Sequence, residues 1–239
     1  MTCEIVRLEN IVKIYKVGST ITYGLKGVNL TIHRGDFIAI MGPSGSGKTT
    51  LLNIIGLLDK PTKGRVYIDG VDVSKLNPKQ LAYFRNRKIG FVFQQFNLIG
   101  RLTVLENIEM PLIARGIPRH RRVKMVIDAL CKVGGDVSWL GKKPNQLSGG
   151  QQQRVAIARA IVGSPEILLA DEPTGNLDRE SAKIVMQTFI KLNKEGQTII
   201  LVTHNPEVAN CAKKIYVLRD GRIVNLIKPD PLKSIVSTV

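Results

Sequence analysis

The sequence predicts an α/β protein: a core with a parallel sheet, an N-terminal antiparallel β subdomain and an inserted α-helical subdomain. Three observations carry this. Short apolar runs punctuated by Gly and Asp crowd the first ninety-odd residues, residues 95–163 switch to helical spacing, and after Pro165 strand-sized runs alternate with helical ones.

In the first stretch the expected strands are Glu4 to Val6, Val28 to Ile32, Phe37 to Met41, Val66 to Ile68 and Ile89 to Phe93. One helix interrupts them from about Lys48 to Leu58, with Leu51, Leu52, Ile55 and Leu58 at helical spacing and Pro61 beyond its end. In the second, helical patterns cover Thr103 to Ala114, Pro118 to Val133 and a run after Ser148, where Ser148 and Gln151 have capping-box spacing and Gly163-Ser164-Pro165 closes the run. In the third, strands Ile167 to Ala170, Thr198 to Val202, Ile215 to Leu218 and Ile223 to Leu226 accompany a helix from Ser181 to Leu192. A single compound domain, 1–239, is expected: 1–94 and 164–239 form the α/β core with its β subdomain, and 95–163 the helical insertion.

Lys and Arg number 35 against 19 Asp and Glu, a formal charge of +16. Anionic partners are therefore expected: phosphates, nucleic acid or an acidic membrane surface. The run Arg119-His120-Arg121-Arg122 reads as a solvated helix start. Cys3, Cys131 and Cys211 are far apart with no C-x-x-C pair, which argues against a zinc site or disulfide framework and for a reducing compartment. No uncharged apolar stretch reaches the ~18 residues of a bilayer span and no signal-peptide pattern is present, so a membrane role is expected to run through a partner.

Gly42-Pro43-Ser44-Gly45-Ser46-Gly47-Lys48-Thr49 fits G-x-x-x-x-G-K-[ST] and lies between an apolar strand and a helix, the setting of a P-loop NTPase core. Its glycines let successive N–H groups and the helix N-terminus point at phosphate. Lys48 is expected to reach the β- and γ-phosphates of the nucleotide and Thr49 to ligate Mg²⁺, with Thr50 beside it at the site. Mg²⁺ needs a hard oxygen opposite, and Ile167-Leu168-Leu169-Ala170-Asp171-Glu172 supplies one. Asp171 is expected to hold the metal and Glu172 to polarise the attacking water.

These two elements fix nucleotide binding and little more. Leu147-Ser148-Gly149-Gly150-Gln151, 23 residues before Asp171 counted from Ser148, decides further. Ser148 caps a helix whose first N–H groups are free, and two glycines allow close approach, so this is a second anion cradle in one chain. Together the motifs resemble those of ABC ATPases. The resemblance implies that the cradle, Ser148, Gly149, Gly150 and Gln151, covers the γ-phosphate bound to an opposite subunit, giving a head-to-tail homodimer around two ATP molecules. It further implies that Tyr15 lies against adenine and that Gln94 senses Mg²⁺ and the attacking water and links to the membrane subunit. Asp178, in Asn176-Leu177-Asp178, falls in the loop that crosses the dimer interface, and His204 resembles the switch histidine that contacts the γ-phosphate.

The runs Phe91 to Leu98, Leu102 to Asn107 and Leu52 to Asp59 are similar to the lipoprotein-release and macrolide-export class. This resemblance implies an ATP-hydrolysing motor that drives multi-span transmembrane subunits from the cytoplasmic face of the cell membrane, exporting a substrate or extracting it from the bilayer. Mechanotransmission of the cell-division type, which moves no cargo, is the nearby alternative. A nucleic-acid ATPase is disfavoured because there is one cassette and no heptad region between Lys48 and Asp171, so no nucleic-acid partner is expected. The membrane partner is expected to dock near Gln94 to Arg101, where Phe96, Leu98 and Ile99 look too apolar for a free loop.

Overall fold

The computed structural model describes residues 3–237. Strands β1 (Glu4–Val17), β2 (Thr20–His33), β4 (Lys63–Ile68) and β5 (Val71–Asp72) form an antiparallel sheet in the order β2-β1-β4-β5. A second sheet holds β3 (Phe37–Met41), β6 (Ile89–Phe93), β7 (Ile167–Asp171), β8 (Thr198–Thr203), β9 (Lys214–Arg219) and β10 (Arg222–Ile227), ordered β10-β9-β3-β8-β7-β6. It is parallel from β9 to β6, with β10 antiparallel at one edge.

The alternation of side chains along a strand divides this sheet between two cores. Phe37, Ala39, Leu168, Ala170, Ile199 and Leu201 enter one cluster, and Ile38, Ile40, Ile167, Leu169, Ile200 and Val202 the other. Both faces are covered, which is why these strands read as unbroken apolar runs. Helix α1 (Lys48–Ile55) packs with the antiparallel sheet on the second face. Helices α3 (Val104–Ile113), α4 (Arg119–Lys132) and α5 (Gly149–Ile161) occupy the chain between β6 and β7 and pack on one another, contributing with α6 (Arg179–Lys194) to the first. A short α7 (Pro206–Ala209) follows β8.

Four elements differ most from expectation. β1 and β2 each run 14 residues, far beyond Glu4 to Val6 and Val28 to Ile32. Register shifts between Leu8 and Ile11 and between Lys13 and Ile14 break the period-two pattern that would have revealed their length. α1 stops at Ile55 instead of Leu58. The Leu58 N–H bonds back to Asn53 O (2.9 Å) and Leu57 takes φ 57°, a Schellman closure with leucine where glycine is usual. Finally, α2 (Pro78–Lys88) was not expected at all: Leu81 is its one buried residue, so it shows no apolar stripe. Asn77 and Gln80 form a capping box with Pro78 in the first turn, and that was its signal.

Candidate active site

The phosphate loop connects β3 to α1, and Gly47 at the helix N-cap has φ 102°, a left-handed conformation that favours glycine. Lys48 Nζ donates to Gly42 O (2.8 Å) and Pro43 O (2.9 Å), which holds the ammonium across the loop mouth. The Ser46 hydroxyl is buried without a partner. Tyr15, on β1, donates its hydroxyl to Asp59 Oδ2 (3.2 Å) and, at 3.4 Å, to Thr50 Oγ1, so its ring lies alongside the start of α1.

Asp171 closes β7 beside that loop. Burial first, and the neighbouring Glu172 charge second, push its carboxyl above the usual range, while the Thr49 hydroxyl and Lys48 partly offset them. A cation would relieve the same strain. Among the described residues no group of three or more His, Cys, Asp and Glu side chains is placed to hold a metal. One carboxylate and one hydroxyl fit Mg²⁺, which takes its other ligands from phosphate and water.

Glu172 is held tightly. With φ 46° it turns out of the strand, and its N–H donates to Val202 O (2.9 Å). Its Oε2 accepts from Thr203 Oγ1 (3.0 Å), and its Oε1 accepts from the His204 N–H (2.9 Å) and pairs with His204 Nδ1 (2.7 Å). Thr203 ends β8, so its hydroxyl and the adjacent imidazole reach Glu172 from the neighbouring strand. Gln94 follows β6; its Nε2 donates to Asn176 Oδ1 (3.2 Å), and Asn176 Nδ2 returns a bond to Gln94 O (3.1 Å). Lys48, Thr49, Asp171, Glu172, His204 and Gln94 therefore gather at the carboxyl ends of β3, β8, β7 and β6, where open α/β sheets place ligands.

Ser148, Gly149, Gly150 and Gln151 lie elsewhere, at the start of α5, whose packing is against α3, α4, α6 and β6. The capping box is present: Ser148 Oγ accepts from the Gln151 N–H (3.3 Å), and the Ser148 N–H donates to Gln151 Oε1 (2.9 Å). The Gln151 amide oxygen is thus engaged by the cap. Gly150, expected to allow the close approach of an anion, also has a packing reason to be glycine. A Cβ there would stand 2.8 Å from Ser181 Oγ and 2.9 Å from its Cβ, so glycine is what lets α5 approach α6. At Gly149 the nearest atom would be a Leu177 methyl at 3.4 Å, an ordinary contact. Asp178 caps α6, accepting from the Ser181 N–H (2.8 Å) and Oγ (2.6 Å), and these bonds hold its carboxyl below the usual range.

Two site neighbours escaped the sequence reading, Thr203 and the buried Gln153, and for Asn176 the reading named its loop but not its bonds to Gln94. Thr203 adjoins His204, and adjacency was its signal. Phe96, Leu98 and Ile99 are half-buried, Leu98 packing on the core, so they offer less surface than expected. The apolar surface is instead a groove of about 510 Å³ between α2 and β6 on one side and α3 and α5 on the other. Leu58 and Met110, exposed by 47% and 38%, open onto it.

The ABC transporter family profile matches residues 25–175. An uncharacterized ABC transporter ATP-binding protein of Bacillus subtilis is 52% identical over 219 residues, 92% of this chain and 95% of that protein. A macrolide export ATP-binding/permease protein of Syntrophobacter fumaroxidans is 51% identical over 92% of this chain, which spans 31% of that longer protein. Among solved structures, the post-hydrolysis dimer of the ATP-binding cassette MJ0796 bound to ADP and Pi, from Methanocaldococcus jannaschii, has a TM-score of 0.87 at 49% identity, covering 95% of this chain and 99% of that one.

Proposed function

The chain belongs to the ABC transporter family as an ATP-binding subunit with ATPase activity, and from that premise we propose that two copies close head to tail around two ATP molecules to drive separate multi-span membrane subunits. The observation that carries this reading is the separation of the two anion cradles. The phosphate loop starts α1 in the sheet core, whereas Ser148 starts α5 in the helical layer. A second copy, turned head to tail, brings Ser148, Gly149 and Gly150 to the phosphates held by the first.

In this arrangement the phosphate-loop N–H groups and Lys48 bind the phosphates, and Tyr15 stacks on adenine. Thr49 and Asp171 would hold Mg²⁺, with Gln94 close by, and the ion would neutralise phosphate charge. Glu172, fixed by Thr203 and the His204 main chain, accepts a proton from the attacking water, and His204 lies beside it to reach the γ-phosphate. Asp178 and Asn176 belong to the surface facing the second copy. Substrate export or extraction from the membrane, on the cytoplasmic side, is the assigned output.

The groove is the assigned seat for a membrane-subunit helix. Among the described residues Arg85, Arg115 and Arg159 line it, no Asp or Glu does, and the hydrogen bonds of these arginines run to main-chain carbonyls and Asn86. An apolar helix carrying a carboxylate suits such a lining.

Mixing two inactive variants tests the shared sites. Lys48→Ala disables the first cradle and Ser148→Arg blocks the second. In a mixed dimer with shared sites, one site receives both lesions and the other none, so part of the ATPase rate returns. If heterodimers form, the rate stays at the level of the separate variants, and Ser148→Arg also leaves the ATP-trapped Glu172→Gln dimer intact, the shared-site reading fails; an unrestored rate with trapping lost on Ser148→Arg shows that both sites must fire together.

A further inference from the structure

The consecutive glutamines 151–153 on α5 have three different fates. Gln151 completes the Ser148 cap, Gln152 donates to Leu147 O (3.1 Å), and Gln153 turns inward with 0% exposure. The Gln153 Nε2 donates to Pro173 O at 2.5 Å and, more weakly, to Phe93 O at 3.4 Å. Both partners are carbonyl oxygens, so the amide must face them with its nitrogen; a flipped amide would set oxygen against oxygen. Its Oε1 is then left buried with no hydrogen-bond partner.

A buried acceptor without a donor is a cost, and a methionine or leucine would fill this place without incurring it. The gain must come from the two donated bonds, and their addresses are informative. Pro173 directly follows Glu172, and Phe93 directly precedes Gln94. One side chain therefore fastens the helix that begins at Ser148 to the main chain beside both residues assigned to the attacking water.

In the head-to-tail dimer, on which this inference rests, α5 faces the ATP held by the opposite subunit, while Glu172 and Gln94 face the ATP held by their own. We propose that Gln153 is a positioning residue that couples the two ATP sites of the dimer. A shift of α5 on the far nucleotide is carried through the Gln153 amide to the Glu172 and Gln94 loops, so each site hydrolyses according to the occupancy of the other. Gln153 touches neither nucleotide. Its contribution lies in where Glu172 and Gln94 stand when ATP is bound across the interface.

Gln153→Met keeps the length and volume of the side chain and removes the donor. The expected result is a kcat lowered by about ten-fold or more, with KM and ATP affinity within about three-fold of the unaltered chain. The Hill coefficient for ATP should fall to 1 from a value above 1, with the melting temperature preserved and the ATP-trapped dimer still formed in a Glu172→Gln background. Should the methionine variant fold poorly, Gln153→Asn keeps an amide but is one methylene short of Pro173 O, and it carries the same expectations. Unchanged kcat and Hill coefficient, a rate loss that merely follows a lowered melting temperature, or a Hill coefficient of 1 in the unaltered chain would each overturn the coupling. Dimer trapping separates the two levels. A Glu172→Gln dimer that forms with Mg·ATP and is lost on adding Ser148→Arg, together with a cooperative Gln153→Met enzyme, rejects the coupling alone, whereas trapping that survives Ser148→Arg rejects the shared sites beneath it.

Discussion

Glu172→Gln is the perturbation whose consequence the geometry specifies most fully. The carboxylate has three contacts: Thr203 Oγ1 at 3.0 Å, the His204 N–H at 2.9 Å and His204 Nδ1 at 2.7 Å. An amide of the same shape can keep them, with its oxygen in the Oε1 place facing His204 and its nitrogen donating to the Thr203 hydroxyl, which is able to reverse its role. Even the loss of one neutral bond would cost only about 1 kcal/mol, or roughly 2–4 °C of melting temperature in a chain of this size. Structure and nucleotide affinity should therefore survive. What the amide cannot do is take a proton, and the loss of a positioned base lowers the rate by ~10²–10⁴, equivalent to about 3–5 kcal/mol of barrier. Phosphate release measures the rate, and size-exclusion chromatography with Mg·ATP should show a dimer that persists because its nucleotide is not consumed. A variant that hydrolyses within about ten-fold of the unaltered chain would refute the base assignment.

Three further outcomes are expected. Asp69 and Glu166 share Lys88 (2.6 and 3.2 Å) and both bond Arg34; for Glu166, burial is outweighed by these bonds and the carboxyl is held below its usual range. Its contribution, about 1 kcal/mol after solvent screening, is present above the usual carboxylate range and lost as pH falls through the lowered value. Glu166→Gln should thus lower the melting temperature at pH 7 by roughly 2–4 °C and make little difference near pH 3; a gap that widens in acid would contradict the ion-pair account. Met110→Asp should block co-purification with the membrane subunit while the isolated chain keeps its ATPase rate within about two-fold, since Met110 is an exposed wall of the groove, and loss of both would make it a core residue. Gly150→Ala should lower both stability and activity because its methyl meets Ser181; Ser181→Gly should restore the melting temperature, and restored ATPase with it would assign this glycine to packing, while unrestored ATPase would assign it to phosphate.

The parts of the fold that were legible are those in which one short segment contains its own explanation. β3, β6, β7 and β8 are buried on both faces, so their apolar runs stop where the strands stop. α5 begins at a capping box written into four consecutive residues. By contrast, the outer reaches of β1 and β2 are strands because they pair with each other across shifted registers, and no window of either reveals the partner. α2 exposes most of its surface and buries only Leu81, so propensity and capping were its sole local marks. Leu58 completes a helical stripe by spacing, yet the backbone leaves the helix before it and turns it toward the groove. Periodicity records which residues are apolar; it does not record which apolar residues the protein keeps on its surface.

The same distinction governs the site. Lys48, Thr49, Asp171 and Glu172 announce themselves because phosphate and metal chemistry demands those residue types next to a strand end, and sheet order then brings the strand ends together. What motif reasoning missed is the scaffolding that aims them. Thr203 holds the Glu172 carboxylate, Asn176 ties down Gln94, and Gln153 braces both loops, and neither Thr203 nor Gln153 carries a charge or a metal-ligand pattern to draw notice. Gly150 shows the opposite error, a residue so strongly marked by its motif that its packing role went unweighed. Its missing Cβ admits Ser181, whose N–H and hydroxyl also bind the capping carboxylate of Asp178. The helix that presents one cradle is thereby packed against the residue that anchors the loop assigned to the dimer interface. A substitution at Gly150 acts on both, so glycine at this position has a packing cause beside the phosphate contact assigned to it.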